Sequence, residues 1–198
     1  MSRDTVRIVR EEILSDHYLP LKNVTYTQRR HDGELQVQSR EVYDSADGAA
    51  VLLYNRAHRS VVLTRQFRIG AHLGGHDGFL LEAAAGMLDG ADPAERAMAE
   101  AREETGYAID HVQPALRLYA SPASTTECVH LFVAEYDRAR RCDGGGGNPE
   151  EGEDIEVVEL DFDDALALVE TGDIVDAKTV LLLMYLERKV LGRHGEAS

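Results

Sequence analysis

Alternating and β-branched apolar positions dominate the first eighty residues and predict a series of strands. Asp32-Gly33 separates two of these stretches and is a strong hairpin turn signal. The glycine-rich stretch over residues 70–78 is expected to be irregular. The predicted strands cover residues 5–14, 21–30, 34–43, 49–54, 60–67 and 79–83.

The most clearly marked element is a helix over residues 93–105. Asp92 is a good N-cap, Pro93 suits the first helical position, and Gly106 is a natural C-terminal stop. Glu95 is placed to close a capping box. One face of the helix carries small or apolar residues and is expected to pack closely on a sheet. Its members are Ala94, Ala97, Met98, Ala101 and Thr105.

The second half of the chain alternates between strands and helices. Asp161 and Asp176 are predicted to cap two helices, which end near Gly172 and Leu191. A loop over residues 138–152 contains four consecutive glycines and is expected to be mobile. The order strands, helix, strands, helix, helix predicts a layered α/β fold with a mixed sheet. The strands of this half are predicted over residues 112–120, 128–136 and 155–160.

Composition then narrows the class of protein. Of the 198 residues, 36 are Asp or Glu and 21 are Lys or Arg, which gives a formal net charge of −15. This charge argues against nonspecific binding to nucleic acid and against docking on an anionic membrane, since both depend on cationic side chains. Two cysteines exclude a disulfide framework. With neither an apolar secretion signal nor a bilayer-spanning apolar run, we expect a cytoplasmic protein.

The negative charge is concentrated in two segments. Residues 82–104 hold seven acids and two bases, residues 150–164 hold nine acids and no base, and together they carry −14 of the net charge. Glu100, Glu103 and Glu104 lie on the predicted helix at a spacing that places them on one face. Such like charges repel unless a cation binds them, and carboxylate oxygens suit Mg²⁺ or Mn²⁺. A solvated acidic helix face remains the alternative interpretation of this pattern.

The sequence around this helix resembles the Nudix box. The match runs from Gly86 to Tyr107, and from Glu100 onward it follows the family's pattern of paired glutamates, glycine and apolar residue. Three departures occur: Asp92 replaces the consensus glutamate, Ala99 replaces the consensus arginine, and the distance from Gly86 to Glu100 is one residue shorter. In the family, that arginine orients the metal-binding glutamates.

Other segments resemble the branch of the family that hydrolyses ADP-ribose and GDP-mannose. The short box and the run that begins at Lys178 are most similar to the GDP-mannose pyrophosphatases. The resemblance implies a Nudix fold over residues 46–198, in which a mixed sheet is sandwiched between helices, and an N-terminal strand-rich appendage over residues 1–45. The other matching segments are residues 39–44, 65–68, 82–86, 121–122, 126–127 and 153–157.

The resemblance implies a homodimeric, metal-dependent hydrolase that splits a nucleotide-sugar diphosphate. The preferred substrate is GDP-mannose, which gives GMP and mannose 1-phosphate. ADP-ribose, which gives AMP and ribose 5-phosphate, is the rival substrate. A Nudix-fold module that binds a nucleotide without cleaving it is an alternative of another class. Ala99 and the short box favour that alternative, whereas the three retained glutamates argue against it.

The resemblance also implies the residues that bind the metal and catalyse the reaction. In the family, box glutamates hold Mg²⁺, and a later carboxylate acts on the metal or on the attacking water. By position, the implied metal ligands are the backbone carbonyl of Ala85 and the side chains of Glu100, Glu103, Glu104 and Glu153, with Glu103 the weaker candidate. The implied catalytic residues are Glu100, Glu104, Glu153 and Asp154, with Asp154 the candidate general base. Without the family, Glu153 and Asp154 are interpreted as solvent-facing charges before a strand.

Substrate contacts are implied along the whole chain. Arg68 is expected to bind a phosphate, because a guanidinium contacts phosphate with two parallel hydrogen bonds. In the GDP-mannose branch the N-terminal strands of one subunit reach the partner's site, so contacts from these strands are expected to cross a dimer interface. The implied substrate-binding residues are Tyr18, Ser39, Arg40, Glu41, Arg68, Ala85, Gly86, Met87, Glu104 and Glu127.

Overall fold

The computed structural model describes residues 5–192. Over this range the chain forms two compact units. The first contains the described residues up to Asp47 together with Tyr119–Cys128. The second contains Gly48–Leu118 and the described residues from Val129 onward. A small sheet forms the first unit, and the larger sheet and the helices described below form the second.

Three antiparallel strands make up the first sheet. They are β1 (Val6–Asp16), β2 (Pro20–Arg29) and β3 (Leu35–Tyr43), in the spatial order β1–β2–β3. Asp32 and Gly33 form the turn between β2 and β3. Gly33 has a φ of 90°, and the Asp32 carboxylate accepts a hydrogen bond from the Glu34 N–H at 3.1 Å. The predicted N-terminal strands and their hairpin turn are therefore confirmed.

The second unit is built on a mixed sheet of seven strands. They are β4 (Gly48–Asn55), β5 (Ser60–Phe67), β6 (Phe79–Glu82), β7 (Ala84–Met87), β8 (Gln113–Tyr119), β9 (Cys128–Glu135) and β10 (Glu156–Asp161). The main order across the sheet is β10–β5–β4–β9–β8, while β6 pairs with β5 and β7 with β4. β4 and β9 are parallel, whereas β4 is antiparallel to both β5 and β7. The sequence prediction misses β7, because alanine and glycine have little preference for strands.

The helices of this unit have well-defined ends. They are α1 (Ile69–Leu73), α2 (Pro93–Thr105), α3 (Phe162–Thr171) and α4 (Ala177–Leu186), which continues into a π-helical segment (Glu187–Leu191). Asp92 caps α2 by accepting a hydrogen bond from the Ala94 N–H at 2.9 Å, and Gly106 ends it with a φ of 77°. Both predicted ends of α2 are confirmed, whereas α1 forms where the sequence predicts irregular structure. No helix within residues 5–192 is long and apolar enough to cross a membrane.

Two apolar clusters cover the two faces of the larger sheet. Alternate residues of β4 enter different clusters: Leu52 packs with Phe162 and Leu182 of α3 and α4, whereas Val51 packs with Ala97 of α2. Because side chains of a strand alternate between faces, helices lie on both sides of the sheet. The predicted fold, a mixed sheet sandwiched between helices, is confirmed.

Candidate active site

Helix α2 brings two glutamates into the interior of the second unit. Two of its alanines, Ala97 and Ala101, are fully buried, and their small size allows close approach to β4 and β7. Glu100 and Glu104 are 3% and 1% exposed. The buried face of α2 therefore carries two carboxylates among alanines, which is unfavourable unless these carboxylates find partners.

Each carboxylate has fewer hydrogen-bond donors than a buried charge requires. The Ala85 N–H of β7 donates a hydrogen bond to Oε2 of Glu104 at 3.2 Å. Arg96 forms an ion pair with Oε1 of Glu100. That buried oxygen nevertheless has no well-aligned hydrogen-bond donor among the residues that the structure describes. Gly86 lies against it, and any side chain at this position would overlap with Glu100. The structure thus brings Ala85 and Gly86 next to both glutamates.

Burial raises the pKa of both carboxyl groups. The pKa of Glu100 rises to about 7, chiefly through burial, although the nearby Arg96 guanidinium opposes the rise. The pKa of Glu104 rises to about 8 through burial and the adjacent charge of Glu100, with Arg68 acting in the opposite direction. The charge of Glu153 raises both values, so this later carboxylate lies close to the pair.

The third glutamate of the box has a different environment. The side chain of Glu103 is 56% exposed, and its Oε2 lies 3.7 Å from Nη1 of Arg96. Positions three and four residues after Glu100 lie on opposite sides of it around the helix, and the sheet covers only the Glu104 side. The predicted single face of three glutamates is therefore divided into a buried pair and an exposed residue.

The loop over residues 138–152, called the glycine-rich loop below, is hydrogen-bonded to the end of α2. The N–H groups of Gly146 and Gly147 donate hydrogen bonds to the carbonyl oxygens of Glu104 and Glu103 at 2.9 and 3.1 Å. Farther along, the Asn148 N–H donates to Oε2 of Glu153 at 2.7 Å. This segment satisfies the terminal carbonyls of the helix and holds Glu153 beside it. The mobility of the loop stays a prediction.

A cluster of charged side chains adjoins the glutamate pair. Nε of Arg68 donates a hydrogen bond to Oε2 of the buried Glu82 at 2.7 Å. Lys178 lies 3.6 Å from Oε1 of the same carboxylate and 2.7 Å from Oδ1 of Asp176. Burial lowers the pKa of Lys178, but Asp176 and Glu82 outweigh that effect and the net pKa is raised. The sequence alone indicates no role for Lys178. Glu82 is a single acid in an otherwise apolar strand, and this pattern could have identified it as a candidate site residue.

The remaining predicted residues are dispersed. Met87 ends β7, where it pairs with Gly48, and Asp154 is exposed beside Glu153. In the first unit, Tyr18 is 76% exposed, and Ser39 Oγ hydrogen-bonds with the hydroxyl of Thr25 at 2.7 Å. The predicted substrate residues of the first unit are Tyr18, Ser39, Arg40, Glu41 and Glu127. Their contribution to nucleotide binding stays a prediction.

The donor set at the glutamate pair fits a divalent cation. Glu100, Glu104 and Glu153 offer carboxylate oxygens, the ligand type that Mg²⁺ and Mn²⁺ prefer. One of these oxygens, Oε1 of Glu100, is buried without a well-aligned hydrogen-bond donor among the described residues. A bound cation would offset the cost of burying the charged carboxylates and the repulsion between them, which are the two effects that raise the pKa of the pair. Glu100 and Glu104 can therefore contribute ligands to such an ion.

Two family models match the chain. The model described as "GDP-mannose pyrophosphatase NudK N-terminal domain" matches residues 5–43, and the model described as "NUDIX domain" matches residues 44–183.

Curated proteins of the same kind are similar over nearly the whole length. The chain is 50% identical over 183 residues to a GDP-mannose pyrophosphatase of Cronobacter sakazakii, a match that covers 92% of this chain and 95% of that protein. It is 48% identical, with the same coverage, to GDP-mannose pyrophosphatases of Escherichia coli O1:K1 and of Shigella flexneri.

Proposed function

This chain belongs to the Nudix family, and on that basis we propose that it hydrolyses GDP-mannose to GMP and mannose 1-phosphate. The N-terminal family model and the relatives support this substrate. Water adds across the diphosphate: one bond between phosphorus and the bridging oxygen breaks, one phosphorus gains hydroxyl, and the departing oxygen gains the proton. The observation that carries the proposal is the buried pair Glu100 and Glu104 beside Ala85.

Magnesium is the proposed cofactor, with Mn²⁺ as an alternative. Glu100, Glu104 and Glu153 would hold it with the backbone carbonyl of Ala85, while the exposed Glu103 is the weaker ligand. When bound, a divalent cation neutralises diphosphate oxygens and lowers the pKa of a bound water. The glycine-rich loop supports this assignment, since it holds Glu153 beside the box helix.

Two further roles are proposed within the second unit. Asp154, exposed and adjacent to Glu153, is the candidate general base that takes a proton from the attacking water. Arg68 is the candidate phosphate contact. Its Nε is occupied by Glu82, which fixes the guanidinium while its side chain stays 41% exposed. The fork of donors that remains suits phosphate oxygens. Gly86 and Met87 complete the proposed contacts of β7.

We extend the proposal to a homodimer. In it, residues 1–45 form an appendage whose strands complete nucleotide binding in the partner subunit, and residues 46–198 form the hydrolase domain. Large apolar side chains on β1 and β3 support a partner surface, because exposed apolar residues gain free energy when they are covered. They are Val6, Ile8, Val9, Ile13, Leu35 and Val37. The proposed contacts from the first unit are Tyr18, Ser39, Arg40, Glu41 and Glu127.

A cytoplasmic location belongs to the same proposal. Cys128 and Cys142 are not joined in a disulfide, which fits a reducing compartment. Neither the charge of the chain nor its described helices favour a nucleic-acid or membrane partner.

A panel of nucleotide sugars, assayed with Mg²⁺ and with identification of both products, tests the proposed reaction. We expect GDP-mannose to give the highest kcat/KM, with GMP and mannose 1-phosphate in equal amounts and no turnover in EDTA. Faster turnover of ADP-ribose to AMP and ribose 5-phosphate would overturn the substrate. Tight nucleotide binding without metal-dependent hydrolysis would instead identify a binding module.

A further inference from the structure

Position 99, where the family carries an arginine, faces a cavity. Ala99 lies on the side of α2 that is turned toward the glycine-rich loop, and the cavity there has a volume of about 510 Å³. The other residues that line it are Arg102, Glu103, Asp143, Gly145 and Gly147. The small side chain at position 99 therefore leaves space beside the box helix, and it offers no cation to the glutamates.

Arg96 lies about one turn before position 99 on α2, and its guanidinium contacts the glutamates from there. Its Nη2 forms an ion pair with Oε1 of Glu100, and its Nη1 lies 3.7 Å from Oε2 of Glu103. Side chains four residues apart on a helix are neighbours, so the guanidinium of Arg96 reaches Glu100 along the helix surface. The Arg96 side chain is only 29% exposed, which strengthens its attraction to a buried carboxylate.

The backbone of β7 helps to fix this ion pair. A Cβ atom on Gly86 would overlap with the Glu100 carboxylate and lie 3.1 Å from Nη2 of Arg96. The guanidinium and the carboxylate are thus pressed against the strand that contains Ala85. A rotation of the Glu100 carboxylate would move its Oε1 away from Arg96 and leave the guanidinium without its nearest partner.

We propose that Arg96 is the positioning residue of this site, and that it replaces the arginine missing at position 99 by holding Oε1 of Glu100, so that Oε2 of this carboxylate is left for the metal. The role of Arg96 in catalysis rests on the proposed function. Its effect on the orientation of Glu100 does not depend on the substrate. A measurement of metal binding without substrate therefore tests it independently of which nucleotide sugar is cleaved.

The first test compares Arg96→Met, Arg96→Lys and Arg102→Met by titration with Mn²⁺ in the absence of substrate. Arg102 lies on the same helix and makes no ion pair with Glu100 in the described structure, so it is the matched control. We expect Arg96→Met to weaken Mn²⁺ binding roughly tenfold or more, the range seen when a group that orients a metal ligand is lost. Arg96→Lys, which keeps the charge but not the planar fork, should be intermediate. Mn²⁺ affinity within about twofold of wild type in Arg96→Met would overturn the proposal.

The second test moves the arginine back to position 99. The cavity beside Ala99 has room for a guanidinium next to Glu103, so the double variant Arg96→Met/Ala99→Arg should recover part of the Mn²⁺ affinity that Arg96→Met loses. Circular dichroism of each variant checks that it is folded, and Arg96→Lys keeps the comparison meaningful if Arg96→Met is not. A double variant no better than Arg96→Met would contradict the claim that position 96 substitutes for position 99.

Discussion

The two acidic segments of the chain, with net charges of −5 and −9, surround their carboxylates differently. In residues 82–104, Glu100 and Glu104 are buried with few donors, and burial raises their pKa. In residues 150–164, burial also tends to raise the pKa of Glu159, yet hydrogen bonds from Tyr136, Arg138 and Ser60 lower it overall.

Two other acids of the second segment also have partners from the protein. Asp161 caps α3 by accepting a hydrogen bond from the Asp163 N–H at 2.9 Å. Asp163 in turn accepts two hydrogen bonds from Arg59, at 2.8 and 2.9 Å. Carboxylates with such donors stabilise the fold without help. A candidate metal site is therefore marked by buried acids that lack hydrogen-bond donors, and not by the number of acids in a segment.

The largest expected effect comes from removing one of the poorly satisfied carboxylates. Glu104→Gln should lower kcat for GDP-mannose with Mg²⁺ by at least about 100-fold, because it removes a proposed metal ligand and leaves the fold intact. Glu95→Gln, on the exposed first turn of the same helix, is the control and should change kcat by less than about twofold. Equal activity of the two variants would abolish the distinction between the buried pair and an ordinary acidic face.

A smaller loss of activity is expected when Glu153, in the second acidic segment, is displaced from its position beside α2. A side chain at Gly147 would overlap with the Glu153 carboxylate, so Gly147→Ala should displace Glu153 and lower kcat roughly tenfold. Gly152→Ala provides the matched control, since Gly152 also has a positive φ, 80°, but open space around its Cβ position. If both variants lose the same activity, backbone strain in the loop and not the position of Glu153 explains the effect.

The stability of the metal-free protein should depend on pH because of the buried pair Glu100 and Glu104. Unfolded glutamates have a pKa near 4.3, so between about pH 5 and pH 8 the folded protein keeps protons on Glu100 and Glu104 that the unfolded chain has released. Rising pH therefore favours unfolding in EDTA, and the stability that the protonated pair provides is lost through pH 7–8.

Glu104→Gln should remove most of that decline. For a domain of this size each kcal/mol corresponds to ~2–4 °C, so a rise of several degrees in Tm at pH 8 is expected from differential scanning fluorimetry. A Tm of Glu104→Gln that follows the wild type at every pH would show that the buried carboxylate is not the cause of the decline.

The smallest effect is expected in the well-paired segment. Asp163→Asn weakens the ion pair with the partly buried Arg59, which should lower the free energy of unfolding by ~0.5–1 kcal/mol and leave turnover unchanged. Urea unfolding and the standard assay measure the two quantities on the same sample. A loss of activity without a loss of stability would mean that this segment acts in catalysis well beyond Glu153.

Local sequence signals predict the helix that carries the site, whereas contacts between distant residues determine the partners of its side chains. The ends of α2 follow from Asp92 and Gly106, because capping depends on neighbouring residues alone. The partners Glu82 and Lys178 are 96 residues apart, so no local pattern connects them. The direction of the Arg96 side chain is equally hidden, because spacing alone permits it to face solvent. The glycine-rich loop shows the same limit, because its composition does not indicate the hydrogen bonds that it makes to the carbonyls of Glu103 and Glu104.

The stabilisation of the protein by Mg²⁺ tests the central claim most directly. Thermal unfolding is compared in EDTA and in excess Mg²⁺ for the wild type, Glu104→Gln and the control Glu95→Gln. We predict that Mg²⁺ raises the Tm of the wild type and of Glu95→Gln by several degrees, since a ligand that binds only the folded state stabilises it. Glu104→Gln should show almost no rise. An equal rise in all three proteins would contradict a metal site built on the buried glutamates.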